Sequence, residues 1–133
     1  MNFELIYNNF FIILSGLDET LKLVIISLSL GFIIAIPFAL ARASSFKILS
    51  QSVYYYIFVI RGTPLLVQIY LIYYGLGTIQ FVRESFLWIV LKDPFFCGVL
   101  ALVINTVAYT AEIFRGGIQS VTKGQIESCK SLG

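Results

Sequence analysis

The sequence predicts an all-α integral membrane protein with about three transmembrane helices, its amino terminus outside and a polar helix on the cytoplasmic side at its carboxyl end. Three observations carry that prediction. Hydrophobic residues make up 59% of the 133 and charged residues 12%, where an ordinary soluble domain has roughly half and a quarter. Three uncharged runs, 23–41, 62–82 and 94–111, approach or exceed the roughly 20 helical residues that a bilayer core about 30 Å thick requires. Positive charge is also unevenly placed: Arg42, Lys47, Arg61, Arg115, Lys123 and Lys130 fall on one side of these runs, and Lys22, Arg83 and Lys92 on the other. Lys and Arg favour cytoplasmic loops, so the six mark the inner face.

In chain order, residues 1–16 carry Glu4 in place of a basic start, a short apolar core and no A-x-A cleavage site. They read as an interfacial lead-in on the outer face rather than a secretory signal. The spans fall at about 21–42, 57–78 and 94–114, with a cytoplasmic segment over 115–133, all within one transmembrane domain. Asp18, Glu19 and Thr20 offer oxygen acceptors for the amino end of the first span, and Pro37 is expected to kink it. Residues 43–52 read as a polar connection. A second helix starting near Val53 would put Arg61 about 12 Å deep, whereas one starting near Phe58 keeps Arg61 at the cytoplasmic boundary at less cost, where its guanidinium snorkels to the interface, with Gly62 and Pro64 forming a kink just inside. Residues 79–92 form an outer loop with an interfacial helix around Trp88. Asp93-Pro94 is a helix start, Asp as cap and Pro in the first turn.

The net charge of +2 and the lack of a basic stripe interleaved with aromatics exclude nucleic acid as a partner class. There is no histidine and no cysteine or carboxylate cluster to suggest a metal. Cys97 and Cys129 fall on opposite sides of the predicted membrane, so no disulfide is expected. Catalysis lacks a nucleophile and base pair, and Glu112 lacks a second carboxylate.

The third span is polar in an ordered way. Asn105, Tyr109 and Glu112 are spaced by four and three and share a helix face, with Thr106 and Thr110 alongside. Gln68 lies seven residues beyond Arg61, on the same face of the second span, with Thr63 nearby. Two readings apply to these groups. They join helices through hydrogen bonds, with Glu112 neutralising Arg115, or they line a path for a polar solute. The tyrosines at 54–56, 70, 73 and 74 read as packing and interface residues.

The tail has its own punctuation. Thr122-Lys-Gly-Gln125 fits a capping box, which predicts a short helix over 123–132, and Gly133 stands where a left-handed cap is wanted. Ser128, Cys129 and Ser131 are small and permit close approach of another surface.

RGTPLLVQIYLIYYGLG (61–77) and NTVAYTAEIFRGGIQSVTKGQIESCKSLG (105–133) resemble the membrane subunits of bacterial ABC importers for polar amino acids, the histidine/glutamine/arginine permease group. The tail is similar to the first half of the family's E-A-A-x-x-x-G loop, with Glu127 as the acid, Ser128 and Cys129 for the two alanines, and Gly133 as the glycine. Thr122 stands where the family often has proline. The resemblance covers about 17–133 and implies a five-helix permease fold of which this chain is the amino-terminal part, a fragment ending within that loop.

It further implies a multi-pass location in the bacterial inner membrane. The expected partners are an ATP-binding cassette ATPase, a second permease subunit (homo- or heterodimer) and an extracytoplasmic amino-acid-binding protein. The 122–133 segment becomes a coupling helix, with Gly124, Glu127, Ser128, Cys129 and Gly133 meeting the ATPase, while Arg61, Thr63, Gln68, Asn105, Tyr109 and Glu112 are candidates for the substrate path. The chain would bind no cofactor directly and would not be an enzyme, ATP being hydrolysed by the partner. The competing reading is a non-transporting membrane interaction protein, or inactive truncated permease, that only docks the ATPase.

Overall fold

The computed structural model describes residues 3–133, so Met1 and Asn2 of the lead-in lie outside the described residues. Among the described residues the regular structure is helical: α1 (Phe3–Ala43), α2 (Lys47–Gly62), α3 (Leu65–Thr78), α4 (Gln80–Glu84), α5 (Trp88–Leu91), α6 (Pro94–Ser120) and α7 (Lys123–Ser131). Two helices, α1 and α6, are long and apolar enough to cross a membrane, and α2 with α3 meets the same test as a bent pair.

Several boundaries differ from expectation. Helix α1 begins about 18 residues before the expected span, because the lead-in contains no proline to break it and a lone Gly16 is tolerated. Asp18, Glu19 and Thr20 therefore cap nothing. Asp18 and Glu19 hold Lys22 at 2.6 and 3.1 Å on the helix surface, and the Thr20 hydroxyl donates to the Gly16 carbonyl. Pro37 lies within α1 and does not end it.

The polar connection is shorter than 43–52. Helix α2 starts at Lys47, since Ser50 and Ser52 are satisfied locally: Ser52 donates to Ile48, and Ser50 both donates to the Arg42 carbonyl and accepts from the Arg42 guanidinium. Arg61 consequently sits in the last turn of α2, not near its start. At Thr63-Pro64 the chain breaks, and α3 leaves at 104° to α2. Proline's missing donor and its restriction of the preceding residue place the break there; Thr63 is extended, at φ −112° and ψ 139°. Helix α3 contains a π-helical stretch, Leu71–Gly75. Residues 79–92 hold two short helices, α4 and α5, and Asp93 caps α6 by accepting from the Phe95 amide at 2.8 Å with Pro94 in the first turn.

The core is the seam between α1 and α6. Ser27, Gly31, Ala35 and Ala39 repeat every four residues on α1 and are all buried, and Cys97, Ala101, Ala108 and Ala111 give α6 a similarly small face. Small residues let membrane helices approach until their backbones are in van der Waals reach. At Gly31 the approach is so close that an added Cβ would lie 2.6 Å from Thr106 Cγ2 and 2.7 Å from its Cβ. Gly98 meets Leu23 toward one end of the seam, while Ala35 and Ala39 cluster with Ala108 and Ala111 toward the other. The two helices therefore run parallel, and the chain between them must return along their length. Val53 and Ile57 of α2 complete the inner cluster.

Gly31→Ala is expected to cost about 1–3 kcal/mol, the usual range for overpacking, measured by thermal unfolding in detergent, and Thr106→Gly in the same chain should recover part of it. Gly16→Ala, where nothing lies within 4 Å of the added carbon, should not destabilise. Equal losses at the two glycines would refute the close approach.

Candidate solute path and coupling segment

The 104° turn between α2 and α3 ends the backbone ladder of α2, although the Ile60 carbonyl keeps a bond from the Thr63 amide at 3.4 Å. Gln68, 6% exposed, adds to this from α3. Its Nε2 donates to the Ile60 carbonyl at 2.8 Å, to the Thr63 carbonyl at 3.1 Å and to Thr63 Oγ1 at 2.8 Å. Its Oε1 accepts from Asn105 Nδ2 of α6 at 3.3 Å. Thr63 in turn donates to Val59 and Ile60. Tyr56 adds a second tie from α2 to α6, donating to the Ile104 carbonyl at 2.7 Å. Thr63, Gln68 and Asn105 thus form one polar stitch across the break. The expectation that Gln68 and Arg61 share a face fails, because the seven-residue spacing holds only along a continuous helix and the chain turns between them.

Arg61, Tyr109 and Glu112 come together elsewhere. They line a cavity of about 310 Å³ between α2 and α6, whose other walls are Tyr54, Ile57, Phe58 and Gly62. The Arg61 guanidinium carbon lies 5.1 Å from the Tyr109 ring centroid, a cation–π distance. Glu112 is paired one turn along with Arg115, whose Nε and terminal nitrogen reach the same oxygen, Oε1, at 2.9 and 2.5 Å. Arg115 also bonds Gln119. Of the lining residues, Tyr54 also lies under Arg42, whose guanidinium carbon is 5.0 Å from the ring centroid. The sequence reading missed Tyr54, Ile57 and Phe58. Their spacing to Arg61, by seven, four and three, puts them on one helix face, a signal hidden by starting the helix too late.

At the carboxyl end, α7 follows a two-residue link and is exposed throughout, as is every residue from Gly116 to Gly133. Its capping box is closed: the Gln125 amide donates to Thr122 Oγ1 at 3.4 Å and the Thr122 amide to Gln125 Oε1 at 3.0 Å. Gly133 has φ +98°, a left-handed conformation that favours glycine. Of the residues singled out on α7, Cys129 and Gly133 border a shallow apolar recess with Val121 and Ile126. Gly124, Glu127 and Ser128 lie round the helix from it. Cys97 is buried on α6 and Cys129 exposed on α7, both as free thiols.

The fold and site define a helical membrane protein with a mixed-charge cavity beside its central seam and a protruding, self-capped helix. Residues 11–133 match the family described as binding-protein-dependent transport system inner membrane component, and the chain belongs to it. It is 48% identical over its whole length to the nopaline transport system permease protein NocM of Agrobacterium fabrum, covering 56% of that protein. Similarity to the octopine transport system permease protein OccM of Rhizobium radiobacter is also 48%, over 96% of this chain and 52% of the relative. The crystal structure of an amino acid ABC transporter with histidines matches all of this chain and 58% of its own at TM-score 0.82 and 42% identity. The chain spans about half the length of the curated relatives it matches.

Because Gln68 bonds two backbone carbonyls and Asn105 contributes one longer bond, Gln68→Leu is expected to lower stability by about 1–3 kcal/mol, the net worth of two hydrogen bonds at about 0.5–1.5 kcal/mol each. Asn105→Ala should lower it by about 0.6 kcal/mol, an ordinary interhelical polar contact. Thermal unfolding of the two variants in detergent, with the order reversed, would refute the stitch.

Proposed function

We propose that this chain acts as a permease subunit of an ATP-driven, binding-protein-dependent importer of polar amino acids. The observation that carries it is the family match over 11–133, in a chain whose exposed segment 116–133 includes a helix closed by a capping box. The parallel course of α1 and α6 supports three crossings, with α2 and α3 together making the return. The uneven placement of Lys and Arg supports an outside amino terminus and a cytoplasmic α7. The partners are an ATPase subunit, a second permease subunit and an extracytoplasmic binding protein, in the bacterial inner membrane. The chain binds no cofactor itself, and ATP is consumed by the ATPase.

Coupling runs through 122–133. A short helix seated in a groove moves as a body when the groove moves, and α7 meets the requirement of being ordered by its own side chains. Gly124, Glu127 and Ser128 face one way, and Cys129 and Gly133 the other, so a groove enclosing the helix would meet all five. Solute passes on the side where Arg61, Thr63, Gln68, Asn105, Tyr109 and Glu112 lie, the Thr63, Gln68 and Asn105 stitch shaping the path and the Arg61 cavity facing it.

Glu127→Lys reverses a charge on the exposed helix without touching the α1 and α6 seam. It is expected to abolish co-purification of the ATPase with the membrane subunit while leaving the variant's accumulation in the membrane at its parent level. Retained co-purification would exclude docking through this face of α7.

A further inference from the structure

We infer that Gly116 and Gly117 form a joint between the membrane bundle and α7, and that Arg115 is a positioning residue that splints it; the part this joint plays in transport rests on the permease reading above. Packing on α6 ends just before the joint. Ala111 is fully buried, and Phe114 packs against the inner cluster and edge-on to Phe32 of α1, with ring centroids 5.0 Å apart. From Gly116 onward every residue is exposed. The direction of α7 relative to the seam of α1 and α6 is therefore set through the last turn of α6 and the link at Val121 and Thr122.

Neither glycine is required by shape. Among the described residues only Gly133 has a positive φ, and a Cβ added at Gly116 or Gly117 meets nothing within 4 Å. Alanine fits both positions and favours the helix at each. What the pair supplies is bending freedom, in the helix that leads from the bundle to α7. Arg115 works against that freedom. Two of its nitrogens reach back to Glu112 Oε1, at 2.9 and 2.5 Å, and the third reaches forward over both glycines to Gln119 Oε1. The Arg115 and Glu112 side chains are only 22% and 25% exposed, so the brace is anchored where α6 is still packed and its free end holds the last turn. With the brace closed, α7 follows α6 as one body. With it open, the two glycines absorb the motion. Glu112 also lines the Arg61 cavity, which puts the anchor of the brace on the cavity wall.

Two measurements test the joint. Hydrogen exchange of this chain in lipid nanodiscs reads its stiffness. Uptake of labelled histidine, nopaline and octopine per ATP consumed reads its use, in proteoliposomes holding the assembled transporter with full-length permease, ATPase and binding protein. Arg115→Met keeps the helix propensity and removes the donors. It is expected to lower protection of the 117–120 amides about twofold to fivefold, the worth of two side-chain pairs on a helix. Solute moved per ATP should fall by up to the same factor, with the basal ATPase rate unchanged. Gly116→Ala together with Gly117→Ala should raise protection about fifteenfold to thirtyfold. The triple variant should recover both protection and yield per ATP, a rescue that a purely electrostatic role for Arg115 does not allow. Unchanged protection in Arg115→Met would overturn the splint. Raised protection without recovered yield in the triple variant would overturn the joint's part in coupling. Loss of ATPase co-purification in the alanine pair would assign the glycines to a partner contact and overturn the joint. A parent that takes up none of the three solutes would overturn the permease reading, and the exchange measurement alone would then decide the joint.

Discussion

Gly31 and Thr106 set the distance at which α1 and α6 run side by side, and the other helices take their places from that seam. Between helices surrounded by lipid there is no hydrophobic drive of the kind water supplies, so association rests on packing and on hydrogen bonds. A four-residue repeat of Ser27, Gly31, Ala35 and Ala39 gives α1 a face without bulk, and the small residues of α6 fit against it. Ser27 is nearly fully buried and has its hydroxyl returned to the Leu23 carbonyl at 2.6 Å. The polar atom therefore needs nothing from the facing helix. Once these two helices lie parallel, the segment joining them has only one course available, back along the seam.

That course carries the second constraint, a sharp turn that interrupts the backbone ladder between α2 and α3. Membrane proteins tolerate broken helices where protein groups re-satisfy the backbone. Gln68 does so for the end of α2, and Tyr56 fastens α2 to the Ile104 carbonyl. These two contacts leave the last turn of α2, with Arg61 on it, standing against α6 at the level of Tyr109 and Glu112. The cavity lies beside this last turn of α2, between Tyr54, Ile57, Phe58, Arg61 and Gly62 on one side and Tyr109 and Glu112 on the other.

The sequence makes the lipid-facing character, the number of long apolar runs, the Asp93-Pro94 helix start and the capping box legible, because each depends on residues close together in the chain. The polar residues of α6 were legible for the same reason: Tyr109 and Glu112, three apart, do line one cavity. What escaped depends on relations across helices. The four-residue repeat on α1 was present in the letters, yet its meaning required knowing that α6 lies opposite. Ser50 and Ser52 look like a loop until their hydroxyls are seen returning to backbone carbonyls, and starting α2 too late hid the face shared by Tyr54, Ile57, Phe58 and Arg61. Gln68 was placed by counting residues along a helix that is not continuous.

The capping box of α7 has a consequence for affinity that involves no contact with any partner. A nine-residue helix standing clear of the rest of the fold is close to balance between ordered and frayed states, since nucleation is costly and few bonds repay it. The side-chain bonds at Thr122 and Gln125 contribute about 1 kcal/mol of helix stability, enough to shift that balance about fivefold. A surface that accepts α7 only as a helix sees an apparent dissociation constant raised by the inverse of the ordered fraction. Thr122 and Gln125 thus set the fraction of α7 that is ordered, through bonds at the helix start that sequence changes there strengthen or weaken.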